Sequence, residues 1–452
     1  MKVLILALLD VLLLAIGHAY SSQVLLWGAL IVFSVVIIVS HKGNFLPLML
    51  FYLPWSPVLK PTPNSLTFAT VVVPVVFLGI IAQGFNKEQK YKMAHIVLPL
   101  FFTVYTIFVK LWNELPIDMP YLFFIIMLFF IPLYVREYKA DISFERCALF
   151  LTVGILTACV AAQILMNYPH MLQYIVIDNT ERNGVTRLSG FYGDANYYSA
   201  QILVAIAALL TVMGKTKSKT LVALQIASIV TLLYFGMLSV SKMFMLSLVS
   251  LVVIWLINLL LEKRSISNKL GVIVAVASVV GIVVANNLLA DEISLYFIRF
   301  GMVSDTSSLT TGRSDLWQVY INYLLANTDK LFLGIGVSPD QVRILLHTNN
   351  AHNSLIEIVY QLGLMGVLFL WSWWKGIYRE LVDRTNMDLS KWLSFLIMAV
   401  AVLLPWFALD VLFFHEFFYF ILLLILAKRY LAEGTSVNHG LDHHQTSGRK
   451  IA

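Results

Sequence analysis

Residues 243–261 read MFMLSLVSLVVIWLINLLL, without one Asp, Glu, Lys or Arg. As a helix rising about 1.5 Å per residue, this stretch matches the roughly 30 Å hydrocarbon core of a bilayer. Comparable apolar stretches fall at 3–17, 23–40, 45–58, 66–85, 94–111, 120–134, 147–166, 197–213, 220–238, 270–290, 354–371, 393–409 and 412–427. The expected fold class is therefore all-α, a polytopic transmembrane helical bundle of about 12–14 spans. Composition agrees: 60% of the chain is hydrophobic and 12% charged, where soluble domains carry about 25% charged residues. The stretch 45–58 is short and holds Pro47, Pro54 and Pro57, so a re-entrant or broken element is the alternative to a span there. The first stretch follows Lys2 as a signal peptide would. It lacks a convincing small-residue cleavage site and further stretches follow at once, so it is expected to be retained.

Charge distribution orients these stretches. Lys and Arg concentrate in cytoplasmic loops. The basic groups are Lys87, Lys90, Lys92; Arg136, Lys139; Lys215, Lys217, Lys219; Lys263, Arg264, Lys269; Lys375, Arg379, Arg384, Lys391; and Lys428, Arg429. Each follows an even-numbered stretch, which puts both termini in the cytoplasm and the loops 167–196 and 291–350 outside. The second loop has six acids (Asp291, Glu292, Asp305, Asp315, Asp329, Asp340) and four bases (Arg299, Arg313, Lys330, Arg343), so its arginines are not retention charges. The net charge of +6 alternates with the apolar stretches and points to no nucleic-acid partner. Residues 1–430 read as a single transmembrane domain and 431–452 as a disordered cytoplasmic tail. The tail histidines His439, His443 and His444 are the alternative, a metal site. Cys147 and Cys159 form no disulfide framework or zinc pattern and read as packing residues.

Four loop segments could carry chemistry. In Arg187-Leu-Ser-Gly190-Phe-Tyr-Gly193-Asp194-Ala-Asn196, the glycines allow tight turns and Asp194 or Asn196 can cap the following helix. Arg187 then stands beside a helix N-terminus, which is how proteins hold phosphate. An interfacial arginine reaching to headgroups is the plainer reading. Ser241-Lys242 interrupts two apolar runs on the outer side, where positive-inside retention does not explain a lysine. Thr311-Gly312-Arg313-Ser-Asp-Leu-Trp317 and Leu333-Gly334-Ile-Gly336 follow in the large loop. Then comes His347-Thr-Asn-Asn-Ala-His352-Asn353-Ser354-Leu-Ile-Glu357, in which Ser354-x-x-Glu357 reads as a capping box. His352 stands just ahead of that helix, where the dipole favours a neutral imidazole, as a general base requires. Each feature alone also suits a surface or capping residue. Together, Arg187, Lys242, Arg313 and His352 on one face suggest an anionic substrate and a proton transfer, which a lipid-linked diphosphate would supply.

These segments resemble, in order, the motifs of the O-antigen ligase/polymerase family of bacterial membrane glycosyltransferases. Arg187 to Asn196 resembles R-x-S-G-x-x-x-x-x-N. Ser241-Lys242 resembles the family's Ser-Arg element, with Lys in place of Arg. Gly312-Arg313-x-x-x-Trp317, Gly334-x-Gly336 and His352-Asn353-x9-Gly363-Leu-Met-Gly366 resemble those that follow. The resemblance covers about 150–430, and the first spans contribute no motif. It implies an all-helical fold of the lipid-carrier (GT-C-like) type, with no metal and no cofactor. It implies transfer of glycan from an undecaprenyl-diphosphate-linked oligosaccharide to a glycan acceptor on the outer face of the cytoplasmic membrane. Arg187 and Arg313 would hold the diphosphate, and Lys242 would assist as a point charge. His352 would take the acceptor proton, with Asn196, Asn353 and Glu357 in substrate binding. A polymerase for O-antigen, capsule or exopolysaccharide, working beside other polysaccharide-assembly membrane proteins, is the favoured branch. A ligase acting on the lipid A–core of lipopolysaccharide is the enzymatic alternative. A flippase is the non-enzymatic one, but it would need ionisable residues at mid-span. The spans hold few beyond Asp10, Lys110 and the Asp410, His415, Glu416 group.

Overall fold

The computed structural model describes residues 2–62, 65–82, 94–179, 185–261, 289–301, 303, 306–338, 346, 349–382 and 387–433. Nearly all of the expected stretch 270–290 lies outside these residues. So do the basic groups around Lys90 and Lys263, as well as Arg343, His347, Arg384 and the tail histidines.

Among the described residues, eight helices are long and apolar enough to cross a membrane: Lys2–Ala19, Met119–Tyr138, Phe144–Leu165, Ala195–Met213, Lys219–Met237, Lys242–Leu261, Ser354–Leu381 and Leu389–Ala408. Three shorter apolar helices, Gln23–Val39, Phe68–Ala82 and Ile96–Trp112, accompany them. The stretch 45–58 takes the broken alternative. Its α-helix Phe45–Tyr52 passes into a 3₁₀ turn, Leu53–Val58, because Pro54 and Pro57 lack the N–H groups that would continue the ladder. Every residue from Phe45 to Tyr52 is buried. The piece lies so close to Phe144–Leu165 that a Cβ on Gly154 would stand 2.1 Å from the Phe51 carbonyl oxygen. Hydropathy alone reads such an apolar segment as a span, whereas here it fills the protein's own core.

The helix Ala195–Met213 is the most buried of the eight. Its run of small residues, with Ala200, Ala205, Ala207 and Ala208 all buried, lets neighbouring backbones approach closely. It packs against Phe144–Leu165, Lys219–Met237, Lys242–Leu261 and Leu389–Leu403. Its first turn, at Asn196, therefore opens in the middle of the bundle's end.

The two long loops are not plain loops. Residues 167–196 contain an antiparallel hairpin, Val176–Asn179 with Val185–Leu188, in which Ile177 faces Arg187. This small hairpin is a local addition to an otherwise helical fold, as expected for the all-α class; β-branched Val176, Ile177, Val185 and Thr186 favour extended backbone. The second loop region holds the helices Ala290–Gly301, Thr306–Thr310, Arg313–Ala326 and Thr328–Leu333.

Candidate functional site

Arg187 is carried on the hairpin's second strand, and its Nε donates to the Ser239 carbonyl at 2.9 Å. Leu188 N donates to Leu238 O at 3.0 Å, which ties the hairpin to the tight link between helices Lys219–Met237 and Lys242–Leu261. Arg299, from the helix Ala290–Gly301, donates through Nη1 to the next carbonyl, Val240. Two arginines from separate loop elements thus clasp the link that delivers Lys242.

Asp194 caps the central helix, accepting from Asn196 N at 2.6 Å and Tyr197 N at 3.4 Å. This leaves the Asn196 side chain available, and its Oδ1 accepts from Ser241 Oγ at 2.7 Å. Ser241 and Asn196, distant in sequence, thereby lock two of the motifs together.

Arg313 opens the helix Arg313–Ala326 after Gly312, whose φ is +81°. Thr310 Oγ1 accepts the Ser314 N–H at 3.1 Å in place of a side-chain cap at position 312. Further along, Trp317 Nε1 donates to Ala351 O at 2.9 Å and Tyr320 Oη to Asn349 O at 3.0 Å. This helix therefore holds the segment leading to His352.

At His352 the backbone turns left-handed, with φ +47°. Its N–H donates to Asp410 Oδ2 at 3.1 Å, and Asn353 N donates to Asp410 Oδ1 at 3.1 Å. His352 Nδ1 stands 3.1 Å from the same Oδ2. The expected capping box does not form. Asn353 is the N-cap: its backbone is extended, one residue before the helix begins at Ser354, and its side chain accepts from Leu355 N and Ile356 N. Ser354 Oγ instead donates to Leu409 O at 2.6 Å.

Arg187, Asp194, Asn196, Lys242, Arg299, Arg313 and His352 line one cavity of about 610 Å³. Its remaining wall is largely apolar and includes Met243, Leu246, Leu309, Leu316, Leu404 and Phe407. Leu246 and Phe407 also face outward, 48% and 46% exposed, so the apolar wall continues onto the bundle's surface. Four cations face one carboxylate in this lining. Burial pushes Arg187 down to about 10, and neighbouring Arg299 adds to the effect. Burial likewise lowers Arg299, with Arg313 contributing, and it lowers Arg313 against the opposing pull of Asp194 and Asp410. No described carboxylate lies within ion-pair distance of any of the three guanidiniums. Crowded, partly desolvated cations of this kind favour an anion with several oxygens.

Backbone strain gathers here too. Among the described residues, the non-glycine positions with positive φ are Ser21, Glu114, Val240, Thr311 and His352; Thr311 and His352 line the cavity, and Val240 lies two residues before Lys242, which does. Such conformations cost about 1–3 kcal/mol each and persist where the surroundings over-determine them. The carbonyl clasp at Val240 and the Asp410 contacts at His352 do so here.

Two expected substrate-binding residues are placed elsewhere. Asn353 is consumed as a helix cap and does not line the cavity. Glu357 is buried near Asp410 and does not line the cavity, and its Oε2 meets no hydrogen-bond partner among the described residues. One helical turn separates Glu357 from the loop, and that turn rotates it into the core. Conversely, Arg299 and Asp410 carry the site without having been assigned to it from sequence. The available signals were an arginine unexplained by positive-inside retention and a carboxylate inside a long apolar region.

The glycine motifs are structural. Helix Ser354–Leu381 breaks at Gly363, φ +65°. The carbonyls freed at Tyr360 and Gln361 accept from Ile335 N and Gly336 N, both at 3.0 Å, and that of Leu362 accepts from Tyr105 Oη at 2.7 Å. Buried Lys110 adds a bond to Val337 O at 2.7 Å. Among the described residues no group of three His, Cys, Asp or Glu gathers to hold a metal ion. No protein-family model matches this chain, and neither does any curated protein.

Proposed function

We propose that this protein is a membrane glycosyltransferase of the O-antigen polymerase kind. In this reading it moves glycan from an undecaprenyl-diphosphate carrier to a growing lipid-linked chain, at the outer face of a bacterial cytoplasmic membrane. The single observation that carries the reading is the meeting of Arg187, Lys242, Arg299, Arg313 and His352 in one cavity whose remaining wall is largely apolar and reaches the surface. A lipid-linked diphosphate has the two matching halves. The all-helical fold would then be of the lipid-carrier glycosyltransferase type, with the polyprenyl chain along Leu246 and Phe407.

The chemistry follows from those positions. An acceptor hydroxyl gives its proton to the His352 ring as its oxygen attacks the anomeric carbon of the donor sugar. The bond from that carbon to the diphosphate oxygen breaks with inversion. The leaving lipid diphosphate carries the growing negative charge, which the preorganised guanidiniums and Lys242 stabilise.

The test is transfer by the purified protein in lipid nanodiscs, supplied with lipid-linked repeats and, separately, with lipid A–core. Lengthening of the lipid-linked glycan supports the polymerase. Transfer to lipid A–core alone would replace that branch with the ligase. Failure with both acceptors, across donors drawn from several polysaccharide classes, would overturn the reading.

A further inference from the structure

Asp410 touches the candidate base without lining the cavity. Its side chain is 9% exposed, whereas that of His352 is 39% exposed and reaches the cavity. Both carboxylate oxygens are engaged, Oδ1 by Asn353 N and Oδ2 by His352 N and Nδ1. The residue is itself held from two sides. Tyr197 Oη donates to the Asp410 carbonyl. Ser354 Oγ bridges Leu409 O at 2.6 Å and Val411 N at 3.1 Å. The carboxylate therefore cannot follow the imidazole if the ring turns, and the ring must adapt to it.

We propose that Asp410 is the positioning residue of His352: it holds the ring proton on Nδ1 and presents an unprotonated Nε2 to the cavity. The proposal rests on the reading of His352 as the base. An ionised carboxylate only accepts hydrogen bonds, so the ring nitrogen facing it at 3.1 Å must be the donor. In the neutral ring this leaves the lone pair on Nε2, where the acceptor proton would go. The same carboxylate, through the two backbone N–H groups, holds the left-handed turn at His352 and so sets where the ring starts from. Asp410 thus acts through His352, fixing both its tautomer and its place.

The experiment reads the tautomer first. Full-length protein with ¹⁵N-labelled histidine in nanodiscs gives ring-nitrogen shifts, with those of His352 identified by their loss in His352→Gln. The expected result is a neutral ring protonated at Nδ1, and a shift toward Nε2 protonation in Asp410→Asn, whose amide can turn a donor toward the ring. A wild-type ring protonated at Nε2 would overturn the proposal whether or not the protein transfers glycan. Kinetics form the second arm. Asp410→Asn should lower kcat by about 10²-fold or more, within the range a positioned base contributes, with donor KM changed less than about twofold. Asp410→Glu should recover part of the loss. In a His352→Gln background, Asp410→Asn should cost almost nothing further, since one unit has already been lost. An equal loss in both backgrounds would make Asp410 a structural residue and overturn the proposal. If Asp410→Asn does not accumulate, the wild-type tautomer and the Asp410→Glu variant still decide the question.

Discussion

Gly334 and Gly363 lie backbone against backbone: a Cβ on Gly363 would stand 2.4 Å from the Gly334 nitrogen, and one on Gly334 2.6 Å from the Gly363 nitrogen. Both have positive φ, +75° and +65°. The break in helix Ser354–Leu381 at Gly363 exposes carbonyls, and the segment after Gly334 supplies the N–H groups that satisfy them. Two separate sequence motifs are therefore one joint, placed one side of the segment that carries His352.

Gly363→Ala should damage this joint. The left-handed backbone alone costs about 1–2 kcal/mol with a side chain present, and the close contact adds to it. A lower melting temperature in detergent, or failure to accumulate, is expected. Gly376→Ala is the control: it has open space around its Cβ position and lies within the helix, so its stability should hold or rise slightly. Equal melting of the two variants would remove the joint from the account.

Arg313→Ala should impair transfer by about 10²-fold or more, the range for losing a preorganised donor to developing charge. Arg313→Lys should impair it less, because the charge remains while the bidentate geometry is lost. Lys242 should show the opposite sensitivity, with Lys242→Arg tolerated and Lys242→Ala impaired. Steady-state rates on protein checked for accumulation decide this, and wild-type output from Arg313→Ala would exclude that arginine from the reaction.

His352→Gln keeps polarity and approximate size but cannot take the proton. Transfer should fall by roughly 10²–10⁴-fold, with donor binding retained through the arginines. His347→Ala should be mild. Near-normal turnover of His352→Gln with purified lipid-linked repeats would leave the histidine a positioning role only.

Sidedness is checked by labelling. Both long loops contribute to one cavity, through Arg187 from one and Arg299 and Arg313 from the other, so they lie at the same end of the bundle. Exposed Gln173 and Gln318 are suitable sites for introduced cysteines. Ser338 is not, since it is buried and donates to Asp118 at 2.9 Å. Native Cys147 and Cys159 are buried and should stay silent. Gln173→Cys and Gln318→Cys should react with a membrane-impermeant thiol reagent in intact cells or spheroplasts. Labelling of both only after lysis would place the cavity in the cytoplasm.

Local structure was legible in the chain before any packing was known. Uninterrupted apolar stretches such as 243–261 specify helices because a buried backbone must satisfy its own hydrogen bonds. Pro54 and Pro57, three residues apart, withhold two N–H groups and break the regular α-helix at that point. Arg187, Lys242, Arg313 and His352 could be grouped because charge alternation put their segments on one face. Which polar groups face the cavity depends on how the helices and loops pack. Asn196 and Ser241 spend their side chains on each other, Asn353 caps a helix, and Glu357 turns into the core one helical turn beyond. Arg299 and Asp410 stand out in the sequence as charges in unexpected places, but nothing local pairs them with their targets. Their partners, the Val240 carbonyl and the His352 ring, lie 59 and 58 residues away in the chain. Periodicity and capping report on neighbours within a turn or two, whereas contacts of that range form only when the packed helices fix their separation.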